Sequence, residues 1–117
     1  MPRVLYFISM DYKLTINRDE FLSALRLIKR VSKARPSQKA LLTLEAESLH
    51  MELDDMAVTV KAQGSWPGKA NVNAGFILVM AKVPPSGDPV EIVADDHTLR
   101  IGTSTTGCTW ITKSVIP

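Results

Sequence analysis

The chain has 117 residues and a formal charge of +2, a size that suits one domain with a real core but is short for an enzyme with an enclosed active site. With 45% hydrophobic and 22% charged residues it should fold rather than stay disordered, and its small net charge points to no partner. Cys108 is the only cysteine, which excludes an internal disulfide and fits a reducing, cytoplasmic setting.

The first eleven residues contain Val4-Leu5-Tyr6-Phe7-Ile8, too short to span a membrane and without the cleavage pattern of a signal peptide. They are expected to be an edge strand or an extension ahead of a natural start at Met10. Lys13-Leu14-Thr15-Ile16 reads as a strand leading into a well-marked helix. Asn17 suits the N-cap, Glu20 closes a capping box, and Ile16 and Phe21 occupy hydrophobic-staple positions. Pro36 disfavours a helical Arg35, so the helix is expected to end near Ala34.

At about 100° per residue, Phe21, Ala24, Leu25, Ile28 and Val31 share one face of that helix. Arg18, Arg26, Lys29, Arg30 and Lys33 fall within an arc of roughly 120° on the other side. A charged arc is usually a solvated helix back. Here, however, no acid follows the first turn, whereas ordinary solvent faces mix signs to gain stabilising pairs. Eight of the 14 Lys and Arg residues lie between Lys13 and Lys39, while Glu45, Glu47, Glu52, Asp54 and Asp55 follow with no base among them, so one surface should be basic and another acidic.

Period-two alternation predicts strands over residues 42–46, 49–53 and 56–60, with turns at Glu47-Ser48 and Asp54-Asp55. Gly64-Ser65-Trp66-Pro67-Gly68 breaks the pattern and links two halves, with Trp66 covering the seam. A weak strand over residues 69–72 precedes a helix over 73–83, stopped by Pro84-Pro85. This helix is apolar nearly all round, Lys82 being its only charge, so it should be buried in the domain or against a partner. Strands are expected over residues 90–94, 99–103 and 106–111, with turns at Asp95-Asp96-His97 and Ser104-Thr105.

The order strand–helix–strand–strand–strand thus occurs twice, over about residues 13–63 and 68–111. It predicts an α+β fold of two pseudo-symmetric βαβββ units. Residues 1–11 would lie outside a single domain of 12–117, whose halves are about 12–64 and 65–117.

No nucleophile–base arrangement, phosphate loop or metal-ligand spacing is present, and no cofactor is expected. Asp54-Asp55 and Asp95-Asp96 sit at hairpin tips, where aspartate serves turn chemistry. Cys108, placed mid-strand, reads as a small buried hydrophobe. An enzyme is not expected.

The chain resembles a single domain of the bacterial DNA polymerase III beta subunit, the sliding clamp. Residues 14–22 match the opening strand and helix, and Arg35-Pro36 leading to Ala40-Leu41-Leu42 matches the next strand. Leu49 to Met56 matches a hairpin, Asn73 to Val83 followed by Pro84 the second helix, and Leu99-Arg100-Ile101-Gly102 a late strand. The resemblance implies a processivity-factor-like fold with two helices on one face and antiparallel sheets outside. In such clamps several domains close a ring, and helices face duplex DNA without reading bases. It implies phosphate contacts from Arg18, Arg26, Lys29, Arg30 and Lys33, extended by Arg35, Lys39 and Lys82. Expected partners are duplex DNA, further copies joined through edge strands, and a replication or repair protein, with no membrane. The alternative is a protein–protein interaction module on a clamp-derived scaffold, without DNA binding.

Overall fold

The computed structural model describes residues 12–112. The expectation for residues 1–11 lies outside them. Ten strands and two helices follow one another in the order β1 (Tyr12–Ile16), α1 (Arg18–Val31), β2 (Lys39–Glu45), β3 (Ser48–Glu52), β4 (Ala57–Lys61), β5 (Gln63–Ser65), β6 (Gly68–Asn73), α2 (Ala74–Lys82), β7 (Val90–Ala94), β8 (Thr98–Ile101), β9 (Ser104–Gly107) and β10 (Thr109–Thr112). They build two five-stranded antiparallel sheets, ordered β5-β1-β7-β8-β9 and β10-β6-β2-β3-β4. Early and late strands are therefore exchanged. β1 pairs with β7 of the later half, and β6 pairs with β2 of the earlier half.

Each sheet buries one face, as the alternation in sequence requires. Leu14 and Ile16 on β1, Leu42 on β2, Leu49 and Met51 on β3, and Ile92 and Leu99 on the second sheet are all at most 1% exposed. Their polar neighbours point outward. Phe21, Leu25 and Ile28 of α1 and Ile77 and Met80 of α2 join the same cluster. A polar tip in this core is satisfied, since Trp66 is buried and its Nε1 donates to the Leu42 carbonyl at 2.9 Å.

Several boundaries differ from the sequence expectations. Helix α1 ends at Val31, three residues early, because Ser32 is extended and the Asp55 carboxylate captures the chain. The Ser32 hydroxyl donates to Asp55 Oδ1 at 2.9 Å and the Lys33 N–H donates to Oδ2 at 2.6 Å. The segment read as a breaker holds β5, which pairs with β1 through Lys13–Ser65 and Thr15–Gln63. Ala46 leaves its strand for a tight turn in which both Ala46 and Glu47 have positive φ. The strand expected over 99–103 is β8, Thr98–Ile101, because Gly102 turns the chain with φ near 62°. The strand expected over 106–111 is two strands in different sheets, separated at Cys108. That cysteine is half-buried rather than mid-strand. Burial, then the nearby Asp95 and Asp96 carboxylates, push its thiol above the ordinary range.

At Gly64 φ is 143°, and a Cβ there would lie 2.0 Å from the Lys13 carbonyl oxygen. Gly64→Ala should detach β5 from β1 and lower Tm. Differential scanning calorimetry checks this, and an unchanged Tm would contradict the placement.

Candidate nucleic-acid interface

The basic face is built by α1. Asn17 Oδ1 accepts the Glu20 N–H at 3.0 Å, and Asp19 and Glu20 sit where the helix dipole is positive. Lys29 and Arg30 occupy the last turn, where the dipole favours cations. Once Phe21, Leu25 and Ile28 are buried, the 3.6-residue period turns Arg26, Lys29 and Arg30 outward; all three are exposed, as is Lys33 just beyond the helix.

The helices pack side by side in opposite senses. The segment after α1 meets the start of α2, where the Ala74 N–H donates to the Gln38 carbonyl at 2.7 Å and the Gly75 N–H to Pro36 at 3.1 Å. These contacts satisfy α2 donors that Asn73 leaves uncapped. At the other end, the Arg18 guanidinium donates to the carbonyls of Pro85 and Gly87 (3.2 Å for the latter), just past α2.

These contacts sort the eight candidate cations. Arg26, Lys29, Arg30 and Lys33 form one strip toward the end of α1. Arg35 and Lys39 follow it in the chain, and both are exposed. The Arg35 N–H bonds Gln38 Oε1 at 2.7 Å, and Lys39 Nζ donates to Asn73 Oδ1 at 3.2 Å. Lys82 ends α2, so it lies near Arg18 and away from the strip. Arg18 is half-buried and occupied by its two carbonyls, a role no local signal in the sequence announces.

Ion pairs among the described residues are Lys13–Glu91 at 3.0 Å, Arg100–Glu91 at 3.7 Å and His50–Glu45 at 3.6 Å. None involves the strip. The acid beside the strip is Asp55, whose carboxylate sits at its end on Ser32 and the Lys33 N–H. The backbone N–H of Lys33 and then the Ser32 hydroxyl hold Asp55 below the usual carboxylate range. A lowered folded-state value means that the stabilisation is complete above the unfolded value, about pH 3.9, and is lost as pH falls through the folded one. Thermal melts of wild type and Asp55→Asn should therefore differ at neutral pH, with wild type more stable, and the difference should shrink as pH falls below the ordinary carboxylate range. Parallel melting curves at all pH values would contradict this clasp.

Within this single chain the second helix is only partly buried. Ala74, Ile77 and Met80 are buried, yet Val79 is 60% and Val83 68% exposed. Among the described residues no group of three or more His, Cys, Asp or Glu side chains is placed to hold a metal. No helix there is long and apolar enough to cross a membrane.

The architecture is that of a clamp-like α+β fold. A beta sliding clamp from C. crescentus superposes on 92% of this chain with a TM-score of 0.57 and 23% sequence identity. The match covers 32% of the clamp, so the chain spans about a third of that protein's length. No protein-family model matches the chain, and no curated protein matches it.

Proposed function

We propose that this chain is a non-enzymatic, sliding-clamp-like domain that binds duplex DNA through its phosphate backbone, independently of base sequence. The observation that carries the reading is the exposed, single-sign strip Arg26, Lys29, Arg30 and Lys33 on a clamp-like fold. Lysine and arginine on a helix surface meet phosphate as point charges and forks, and the affinity they confer falls with salt. Arg35 and Lys39 extend the strip, whereas Lys82 and Arg18 sit at the opposite end and contribute less.

In this reading the chain is one domain of two βαβββ units, each followed by one further short strand (β5 or β10), related by a pseudo-twofold axis with α1 and α2 on one face. The strand exchange supports that symmetry, because swapping each strand for the one five positions away in the other half (β5 for β10, β1 for β6, β7 for β2, β8 for β3, β9 for β4) turns one sheet order into the other. The two units are unequal, as only α1 carries a phosphate-binding face. Four contacts from one copy give weak binding, so residence on DNA calls for further copies joined through edge strands. Anisotropy titration of a labelled duplex of arbitrary sequence tests the proposal; no binding at low salt would refute it.

The exposed Val79 and Val83 favour a second reading, a protein–protein interaction module on the same scaffold. Light scattering separates the two. A ring-sized particle that retains circular DNA supports the clamp, and a monomer that ignores DNA supports the module.

A further inference from the structure

Among the strands that end the two sheets, β4 is the longest, with five residues against three in β5 and four in β9 and β10. It pairs only with β3 among the described residues. Its sequence Ala57-Val58-Thr59-Val60-Lys61 has a β-branched centre, and its one charge stands at the end. Sheet edges are commonly protected by proline or a central charge, and β4 carries neither.

A groove runs between this edge and α1, with Glu20, Ser23 and Leu27 on the helix side and Val58, Val60 and Lys61 on the strand side. The helix lies antiparallel to the strand. Asp55, just before β4, binds Ser32 and Lys33 past the end of α1, whereas Glu20 of the first turn shares the groove with Lys61. Between these ends Leu27 is 38% exposed, and Val31, one turn further on the same side, is 49% exposed. An apolar stripe of α1 therefore overhangs the edge of β4.

We propose that β4 pairs antiparallel with β4 of a second copy, across a two-fold axis through Thr59, joining two sheets into one. Register, packing and charge all select a second copy as the occupant. Centring on Thr59 sets Val58 opposite Val60 of the second copy and Ala57 opposite its Lys61. Every residue of β4 is then paired, and the apolar face continues unbroken across the axis. The two Leu27 side chains meet above that layer, with Val31 at its flanks, so the exposed stripe is covered. The acidic first turn of each α1, with Asp19 and Glu20, comes beside the last turn of the other, with Lys29 and Arg30. A head-to-tail contact would instead offer β4 the shorter, polar Ser104-Thr105-Thr106-Gly107 of β9, without this reciprocity. The axis runs perpendicular to the sheet, so both α1 helices stay on one face and their basic strips adjoin. On the proposed DNA-binding reading, and only for this consequence, the dimer doubles the phosphate contacts of one copy. Edge β9 stays open for joining dimers.

Sedimentation velocity on the full chain without DNA, over a range of concentrations, tests the pairing. Wild type should approach twice the 12.9 kDa chain mass. Leu27→Glu sets two like charges against each other at the axis and should weaken association about tenfold or more. Its circular dichroism should match wild type, since position 27 is already partly exposed. In a Thr59→Cys variant the introduced thiols face each other across the axis, with Cβ atoms about 5 Å apart. A short thiol-to-thiol reagent should therefore link position 59 to position 59, which peptide mass spectrometry separates from links through Cys108. A wild type that stays monomeric at its highest soluble concentration would overturn the proposal, as would a dimer indifferent to Leu27→Glu. Larger particles without the 59–59 link would assign β4 to a head-to-tail contact and overturn it too. Because no DNA is present, failure here leaves phosphate binding by a single copy standing, and a failed duplex titration leaves the dimer standing.

Discussion

Replacing Arg26, Lys29, Arg30 and Lys33 together with glutamate should abolish measurable duplex binding, a loss of about a hundredfold or more at 50 mM salt. Each phosphate neutralised by a cation releases condensed counterions, at about 0.9 per contact on B-form DNA. Four contacts give a slope near −3.6 in log affinity against log salt, equivalent to about a hundredfold between 50 and 200 mM. Glutamate turns four attractions into repulsions, so the variant loses the affinity and the slope together. Acids near the end of α1 also oppose the helix dipole, at about 0.3–1 kcal/mol each. A glutamine version of the same four positions isolates the charge effect. It should retain the fold by circular dichroism and still lose the salt dependence. Retained affinity in either variant would remove α1 from the interface.

The largest expected loss of stability comes from Phe21→Ala, at about 3–5 kcal/mol. Phe21 is 0% exposed and is the first large apolar residue of α1, directly behind the basic face. Its ring is packed within the shared core rather than against one sheet alone, so truncation leaves a cavity that neither sheet can close without moving. A domain of this size is stable by about 5–15 kcal/mol, so the change removes a large share of the total. Urea denaturation should show a lower midpoint with an unchanged slope. Basic-face binding should persist wherever the variant remains folded, which separates the core from the interface. A loss below about 1 kcal/mol would mean that Phe21 is not packed as described.

The helices and most strands were legible because their signals are local. Asn17 and Glu20 mark the start of α1, and period-two alternation marks β2, β3, β4 and β7. What escaped depends on distant partners. No local feature of Ser32 shows that Asp55, 23 positions later, ends α1 at Val31. Gly64 read as a breaker because glycine weakens strands, yet here it allows β5 to approach the Lys13 backbone. Likewise, the alternation through Thr106 and Trp110 reads as one strand, although the chain changes sheets at Cys108. The angular arc put Arg26, Lys29, Arg30 and Lys33 on one side, and all four are exposed. It could not show that Arg18 binds two backbone carbonyls or that Lys82 lies at the far end, because both depend on how α1 and α2 run relative to each other.

The basic strip of α1 as a phosphate-binding face is tested most directly by a salt titration of wild-type affinity for two duplexes of unrelated sequence. Two superimposed lines with a slope between about −3 and −4 are predicted. A flat line, or affinities that differ more than about tenfold between the sequences, would contradict backbone binding through α1.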